Sequence, residues 1–313
     1  MILNLSEITM PYILAGISVG GQYALISIGY TMVYGILRLI NFAHGDVFTV
    51  AGLILVYLVA EGLPIFVAIP VLIALTMALS FIIERVAYKP LRQAPRMSVM
   101  ISAIGVSYLL RNLMLYITGG LNRNYPPIPW VNDSITVLGA TTKRVTVITP
   151  FLVLALIFGL VWLINHTKTG IAMRAVAKDF ETSQLMGIKI DRVISSTFAI
   201  GSFLAAIGSI LFFSNFPGVT PMSGSMPGMK AFVAAVFGGI GSIPGAVLGG
   251  FIIGIFESLI KGLDTILGPT GAGLIKSQWE LATFSDAFTF FLLVVILIFK
   301  PTGLFGEKPT DKV

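Results

Sequence analysis

Asn41, His44 and Asp46 place an amide, an imidazole and a carboxylate within six residues, between two apolar stretches. Side chains of these types can bind a polar ligand through hydrogen bonds and charge. Gly45, in the same group, permits a tight turn of the backbone. Alternatively, Asn41 and Asp46 cap helix ends, since Asp46 directly precedes an apolar run. The residue types and their spacing leave both interpretations open.

Two glycine-rich stretches have the composition of nucleotide-binding loops but lack the pattern that phosphate binding requires. Gly238–Gly245 has neither the preceding strand nor the acidic residue of a dinucleotide site. In the second stretch, Ile275 stands where a phosphate loop needs Gly directly before Lys276. The chain is therefore not expected to bind ATP by either mechanism.

Small residues four apart predict close packing of membrane helices, because they let two backbones approach each other. The spacing occurs in three groups, Gly16 with Gly20, Gly241 with Gly245 and Gly249, and Gly250 with Gly254. For Gly241 and Gly245 a second interpretation is a break between two half-helices whose backbone dipoles face a cavity. Packing and a helix break both remain open for this stretch.

Cysteine is absent from this chain and histidine is rare. The sequence has no Cys and two His, and neither His44 nor His166 has an acidic partner at ligand spacing. A metal site is therefore not expected, and no cofactor is predicted. Because no nucleophile lies beside a base and no paired acids are evident, we predict that the chain is not an enzyme.

The composition is that of a membrane protein. Of the 313 residues, 56% are hydrophobic and 11% are charged, and the mean hydropathy is +0.94. Soluble domains carry about 25% charged residues. We predict an all-α polytopic membrane protein in which residues 1–313 form a single transmembrane domain. The net charge of +6 is attributed to Lys and Arg beside the spans, so nucleic-acid binding is not expected.

Nine apolar runs are candidate spans: Pro11–Leu37, Val47–Ala60, Pro64–Ile83, Ser98–Thr118, Val147–Ile164, Val193–Phe213, Ala231–Ile240, Gly245–Ile260 and Phe284–Phe299. Runs of about 18 residues or more can cross the hydrocarbon core as helices. Val47–Ala60 and Ala231–Ile240 are shorter, and Gly245–Ile260 is a borderline third, which favours tilted or broken helices. We expect nine crossings if both runs around residues 241–244 cross, and seven if they form a re-entrant hairpin.

The positions of basic residues between the runs predict the orientation. They concentrate in residues 84–97, in residues 165–192 and in the C-terminal tail, which we therefore place in the cytoplasm. Counting back from these segments puts the N-terminus outside and the C-terminus in the cytoplasm. Residues 119–146 then form an external loop, in which the alternation Ile135–Leu138 predicts a short strand pair. The loop either binds an external partner or packs on the membrane surface.

Two ionisable side chains fall inside apolar runs. Arg111 lies seven residues, or about 10 Å, from the outer end of its run. We expect its side chain to reach the membrane surface by snorkelling. Glu257 precedes Lys261 by four residues, a spacing that predicts an ion pair on one helix face.

The segment Gly170–Gly187 is cytoplasmic by the charge rule but has the composition of an ordered helix. Its Ala, Met, Leu and Glu residues favour helix, and Gly187 provides a C-terminal stop. Ala172, Val176 and Met186 beside charged residues form an amphipathic surface. This surface fits a groove on a partner protein, or the helix lies on the lipid headgroups.

Several motifs together resemble the H-type permease of branched-chain amino-acid ABC importers. They are Gly21–Leu25, Gly29–Gly35, Asn41–Gly45, Gly170–Gly187 and Ala234–Ala246, and the likeness covers nearly the whole chain. The resemblance implies an all-helical permease of the bacterial inner membrane. It also implies a heterodimer with a second permease subunit, two cytoplasmic ATPase subunits and an external substrate-binding protein.

We predict two groups of functional residues, of which the second follows from the resemblance. One is a translocation path or gate formed by Asn41, Phe42, His44, Gly241 and Gly245. The other is an ATPase-coupling group within residues 165–192, consisting of Gly170, Arg174, Ala177, Glu181 and Gly187. Arg111 and Ser183 depart from the residues expected in the family.

The expected function is import of branched-chain amino acids, with half of the path formed by this chain. Relatives of this permease type also serve urea, short amides and other small polar solutes. A different class, an ion-coupled secondary transporter or channel, would need unpaired acidic or His side chains at mid-membrane. Glu257 alone meets that requirement, and only weakly.

Overall fold

The computed structural model describes residues 5–92, 94–137, 139–267 and 281–306. Over these residues the chain forms eleven α-helices: α1 Leu5–Leu37, α2 His44–Ala60, α3 Ile65–Ile83, α4 Arg96–Thr118, α5 Arg144–His166, α6 Lys168–Lys178, α7 Phe180–Leu185, α8 Ile190–Asn215, α9 Ser225–Gly238, α10 Ile243–Leu267 and α11 Ser285–Phe299. The π-helical turn Glu84–Tyr88 and the 3-10 turn Lys89–Leu91 extend α3. A second 3-10 turn, Leu281–Phe284, precedes α11. The glycine-rich stretch around Ile275 and the basic residues Lys308 and Lys312 lie outside the described residues.

The prediction of an all-α polytopic membrane protein is confirmed. Seven helices in the described ranges are long and apolar enough to cross a membrane. At 17 residues, α2 is about 25 Å long and α9, at 14 residues, about 21 Å, so both fall short of the ~30 Å hydrocarbon core. These are the two helices that the short apolar runs predicted. The run Gly245–Ile260, in contrast, belongs to the 25-residue helix α10.

Helices α1 and α10 pack closely and antiparallel through glycines. A Cβ added at Gly20 would lie 2.8 Å from the Phe251 Cα, and one at Gly16 would lie 2.9 Å from the Ile255 Cα. Gly250 and Gly254 contact the α1 backbone from the other side. The packing predicted from glycine spacing is confirmed, and it fixes the centre of the bundle.

Gly20→Ala is expected to destabilise the protein by about 1–3 kcal/mol, because the added methyl would meet backbone atoms that cannot rotate away. The matched control is Gly159→Ala in α5, where an added Cβ would meet nothing within 4 Å. There the gain in helix propensity, up to about 1 kcal/mol, should leave stability unchanged or raised. Thermal unfolding in detergent compares the two variants. Equal melting temperatures would contradict the close packing.

Short strands lie at one end of the helix bundle. Strands β2 (Ser134–Val137) and β3 (Ala140–Lys143) form the strand pair predicted in residues 119–146. Strand β1 (Arg123–Asn124) pairs with β4 (Gly218–Val219) after α8. This end of the bundle includes the first half of α1, since the Asn215 side chain lies 3.5 Å from the Ser18 hydroxyl.

The segment Gly170–Gly187 lies at the opposite end. Arg38, directly after α1, donates a hydrogen bond to the Ala177 carbonyl at 3.5 Å. From Ser18 to Arg38 is 20 residues, so the strands and this segment are separated by about 30 Å of helix. The two segments that were predicted to face opposite sides of the membrane are therefore at opposite ends of the bundle.

Candidate functional site

A cavity of about 180 Å³ lies where α2 and α9 begin. The two helices can meet there because glycines lie at the contact, Gly45 in α2 and Gly224 and Gly228 at the start of α9. The Gly224 N–H donates to the Thr49 Oγ1 at 2.8 Å, and a Cβ on Gly45 would be 3.1 Å from the Gly228 Cα. The cavity wall combines aromatic, small and polar side chains, among them Tyr30, Phe42, Gly45, Ile104, Ser107, Tyr108, Arg111, Gly228 and Phe232.

An ion pair joins α2 to α4 beside this cavity. The Arg111 Nε donates to the Asp46 Oδ1 at 2.7 Å, and the Ser107 hydroxyl donates to the Asp46 Oδ2 at 2.5 Å. Asp46 is buried, whereas 32% of the Arg111 side chain is exposed. The expectation that Arg111 snorkels to the membrane surface is therefore wrong, because a buried carboxylate 65 positions earlier holds its side chain.

Asp46 and Asn41 do not cap a helix end. The residue at the N-cap of α2 is Ala43, and no side chain caps that end. Asp46 instead directs its carboxylate to α4, and the Asn41 Oδ1 accepts a hydrogen bond from the Tyr88 hydroxyl at 2.8 Å. Of the two interpretations of this polar segment, the capping interpretation is wrong.

The predicted path residues at the start of α2 occupy two layers. Phe42 lines the cavity, and His44 is buried behind it, with its ring centroid 5.0 Å from that of Tyr30. The space for the imidazole exists because Gly29 on α1 has no side chain: a Cβ there would clash with the His44 Nε2. The His44 Nε2 has no hydrogen-bond partner among the described residues, which also contain no cluster of His, Asp and Glu able to hold a metal ion.

The predicted break around Gly241 and Gly245 is present, at the far end of α9. Gly239 and Gly241 both adopt φ of +103°, a backbone conformation that favours glycine. The turn packs on the C-terminal segment, where the Leu304 and Phe305 amides donate to carbonyls at the end of α9 at 2.9 and 2.8 Å. Gly241 and Gly245 do not line the cavity at the start of α9. The break is therefore supported by protein contacts, and the cavity lies elsewhere.

A buried charge network connects α9 with α10, α11 and α1. The Lys230 Nζ lies 2.9 Å from the Glu257 Oε1 and 2.6 Å from the Asp286 Oδ1. Lys261 contacts the same Glu257 oxygen at 2.6 Å, which confirms the pair predicted from their spacing. The Tyr23 hydroxyl donates to the Glu257 Oε2 at 2.9 Å. Lys230 and Asp286 were missed, because partners on different helices leave no regular spacing in the sequence.

The predicted cytoplasmic helix is two helices, α6 and α7. The break falls at Asp179, whose carboxylate accepts hydrogen bonds from the Thr182 amide and hydroxyl at 3.0 and 2.9 Å and so starts α7. Gly187 has φ of +83° directly after α7, as expected for a helix stop. Gly170 is buried, and its amide donates to the Thr167 hydroxyl that caps α6 at 3.1 Å.

The surface of α6 and α7 differs from the amphipathic surface predicted for it. Val176 is 2% exposed because it packs on the protein's own core, so it cannot contact a partner. Arg174 and Glu181 are exposed. The most exposed apolar side chains of this surface are Leu185 and Met186, at 87% and 78%, followed by Ile171 and Phe180. Ala177 is half-buried, and its carbonyl accepts the hydrogen bond from Arg38.

A second charged cluster connects the end of α3 to the start of α8. Arg92 pairs with both Glu84 and Asp191. Lys89 contacts Asp191 at 2.5 Å, and the Ser195 hydroxyl donates to the buried Glu84 at 2.9 Å. Only four residues separate α7 from α8. By holding the start of α8 to the end of α3, the charged cluster also fixes the end of the segment Gly170–Gly187.

Comparisons with known proteins agree with the fold. The profile of the family described as "Branched-chain amino acid transport system / permease component" matches residues 12–298. The chain is 36% identical to the high-affinity branched-chain amino acid transport system permease protein BraD of Pseudomonas aeruginosa, over 95% of this chain and 96% of the relative. It is 37% identical to the permease protein LivH of Escherichia coli, with the same coverage. The ribose import permease protein RbsC of Haemophilus influenzae is 25% identical over 77% of this chain and 74% of its own length.

No solved structure matches the chain. The family profile covers most of the sequence, and the identity to BraD and LivH extends over nearly all of both chains. The seven apolar helices of sufficient length agree with a multi-pass membrane protein. The chain therefore belongs to the family of permease components of branched-chain amino-acid transport systems.

Proposed function

We propose that this chain is one permease subunit of an ATP-binding-cassette importer for branched-chain amino acids in the bacterial inner membrane. It forms half of the translocation path, and a second permease subunit forms the other half. Two cytoplasmic ATPase subunits supply the energy, and an external binding protein delivers the solute. Import of branched-chain amino acids is what the names of BraD and LivH state for those relatives.

The observation that carries the proposal is the cavity at the converging starts of α2 and α9. Helix starts inside a membrane protein are stable only where protein or a water-filled space satisfies their backbone groups. The Asp46–Arg111 pair beside the cavity adds a charged side chain that is one-third exposed and cannot face hydrocarbon. A solute path between two permease subunits satisfies both requirements.

In this proposal Asn41, Phe42 and His44 form the wall and gate of the path. Phe42 is the member that reaches the cavity, while His44 and Asn41 lie behind it. Gly241 and Gly245 act at the other end of α9, where they let the helix turn back and set its position. Asn41→Ala and His44→Ala should therefore both reduce uptake, and normal uptake in both variants would exclude the gate.

Residues 165–192 are proposed as the segment that docks on an ATPase subunit. Gly170 and Gly187 set its turns, Ala177 joins it to the end of α1, and Arg174 and Glu181 are available to a partner. Exposed Leu185 and Met186 add an apolar contact of the kind found at the centre of protein interfaces. The segment lies at the end of the bundle that is proposed to be cytoplasmic, with the N-terminus outside and residues 119–146 on the external side.

Replacing Arg174 and Glu181 together by Ala should abolish most of the coupling. We expect the stimulation of ATP hydrolysis by loaded binding protein to fall at least about fivefold, because exposed charged side chains at interface centres often contribute more than ~1 kcal/mol. The measurement is ATPase activity of the reconstituted complex with and without loaded binding protein.

The control is Arg96→Ala, an exposed charge at the same end of the bundle but outside residues 165–192. It should leave the stimulation unchanged. Normal stimulation in the Arg174→Ala/Glu181→Ala variant would exclude the coupling role of this segment.

A further inference from the structure

Arg111 is held at one edge of its guanidinium group and has free donors at the other. Its Nε donates to Asp46, whose second oxygen already accepts the Ser107 hydroxyl. Within the described part of the chain, neither Nη1 nor Nη2 of Arg111 has a hydrogen-bond partner. The group is therefore fixed in orientation while its terminal N–H donors remain available.

The free donors must face something polar. Arg111 lies about 10 Å from the end of a membrane-spanning helix, where a charged group faces protein, water or a ligand and not lipid. In this structure its side chain lines the cavity at the starts of α2 and α9. Arg111 therefore lines the proposed solute path.

The geometry of the free edge selects one kind of acceptor. A guanidinium group presents parallel N–H donors that match the two oxygens of a carboxylate, which gives a bidentate contact. The starts of α2 and α9 at the same cavity add the partial positive charge of two helix N-termini. Phe42, Ile104 and Phe232 provide apolar wall beside this edge, suited to an aliphatic side chain.

We propose that Arg111 binds the carboxylate of the transported amino acid as the solute passes the cavity. The inference rests on the proposed function and assigns the recognition of its solute to a named residue. Because Arg111 and Asp46 are neutral as a pair, they set no net charge against a solute that is itself neutral overall, as an α-amino acid is. Urea and short amides carry no carboxylate, so the free edge of Arg111 distinguishes the two solute classes.

Two variants separate reading of the carboxylate from support of the fold. Arg111→Lys keeps a cation beside Asp46 but loses the planar pair of donors. The double variant Asp46→Asn/Arg111→Gln removes both charges, so that neither remains unpaired. If Arg111 only braced α4 against α2, Arg111→Lys, which keeps the ion pair with Asp46, would import normally. If it reads the carboxylate, both remain impaired.

The experiment uses the complete complex in proteoliposomes that receive leucine-loaded binding protein on the external side. The control variant is Asn112→Ala. Asn112 is the exposed neighbour of Arg111 on α4 and should not change import. The readout is leucine imported per ATP hydrolysed. We expect a loss of about tenfold or more in both Arg111 variants, which corresponds to losing a charge-assisted bidentate contact.

The outcomes are distinguishable. Wild-type import per ATP in either Arg111 variant would overturn the assignment of Arg111 and leave the proposed function intact. Failure of the wild-type complex to import leucine would instead contradict the proposed function. Loss of import in the Asn112→Ala control to the same degree would also overturn the assignment, because the effect would not be specific to the guanidinium group.

Discussion

Lys230→Met is expected to lower the free energy of unfolding by about 3–5 kcal/mol, the cost of removing one partner from a buried ion pair. Lys230 is 5% exposed, and its ammonium group contacts carboxylates on two other helices. Without it, the buried Glu257 depends on Lys261 and Tyr23 alone. The loss also removes the charged link of α9 to α10 and α11, although close contacts such as that of Gly249 with Ala234 still hold α9 on α10.

The control for this prediction is Lys261→Met. Lys261 contacts the same Glu257 oxygen, but 47% of its side chain is exposed, so its removal should cost less than about 1 kcal/mol. Unfolding in detergent, followed by heat or by a denaturing surfactant, compares the two variants. If Lys230→Met and Lys261→Met lowered the stability equally, the buried Lys230 would not stabilise the protein more than the exposed Lys261.

Asp46→Asn is expected to have a second large effect, a loss of about 3 kcal/mol or more, because it leaves the Arg111 guanidinium without its counter-ion inside the membrane region. Adding Arg111→Gln removes that unpaired charge. The double variant should therefore be more stable than Asp46→Asn alone, although it carries one more substitution.

A double-mutant cycle of the unfolding midpoints checks this prediction. Asn112→Ala again serves as the control, since Asn112 is exposed and donates only to the carbonyl of its own helix at 2.8 Å. Additive effects of the Asp46 and Arg111 substitutions would mean that the pair contributes no interaction energy. In that case the guanidinium group would not be oriented toward the cavity by Asp46.

The features that the sequence predicted correctly are local or periodic. Each of them depends on one helix at a time. They are the hydrophobic runs of span length, the four-residue spacing of Gly16 and Gly20, and the i,i+4 pair Glu257 with Lys261. The likeness to the permease family was carried by short motifs and is confirmed by the family profile. These features establish the class of protein and which helices carry glycines for close packing, while the pairing of α1 with α10 comes from the structure.

The features that could not be predicted depend on which helices become neighbours. Asp46 meets Arg111 across 65 positions, and no regularity in the sequence marks that contact. The segment Gly170–Gly187 has helix-forming residues throughout, yet the Asp179 carboxylate competes for local backbone amides and divides it. The position of the cavity follows from where α2 and α9 meet, which is a property of the assembled bundle.

ATP-dependent leucine uptake into proteoliposomes tests the central claim most directly. The vesicles contain this chain, the second permease subunit and the ATPase subunits, and they receive leucine-loaded binding protein on the external side. The account predicts uptake that requires ATP inside the vesicles and that disappears when this chain or the ATPase subunits are omitted. Leucine uptake that persists without any ATPase subunit, driven by an ion gradient alone, would contradict it.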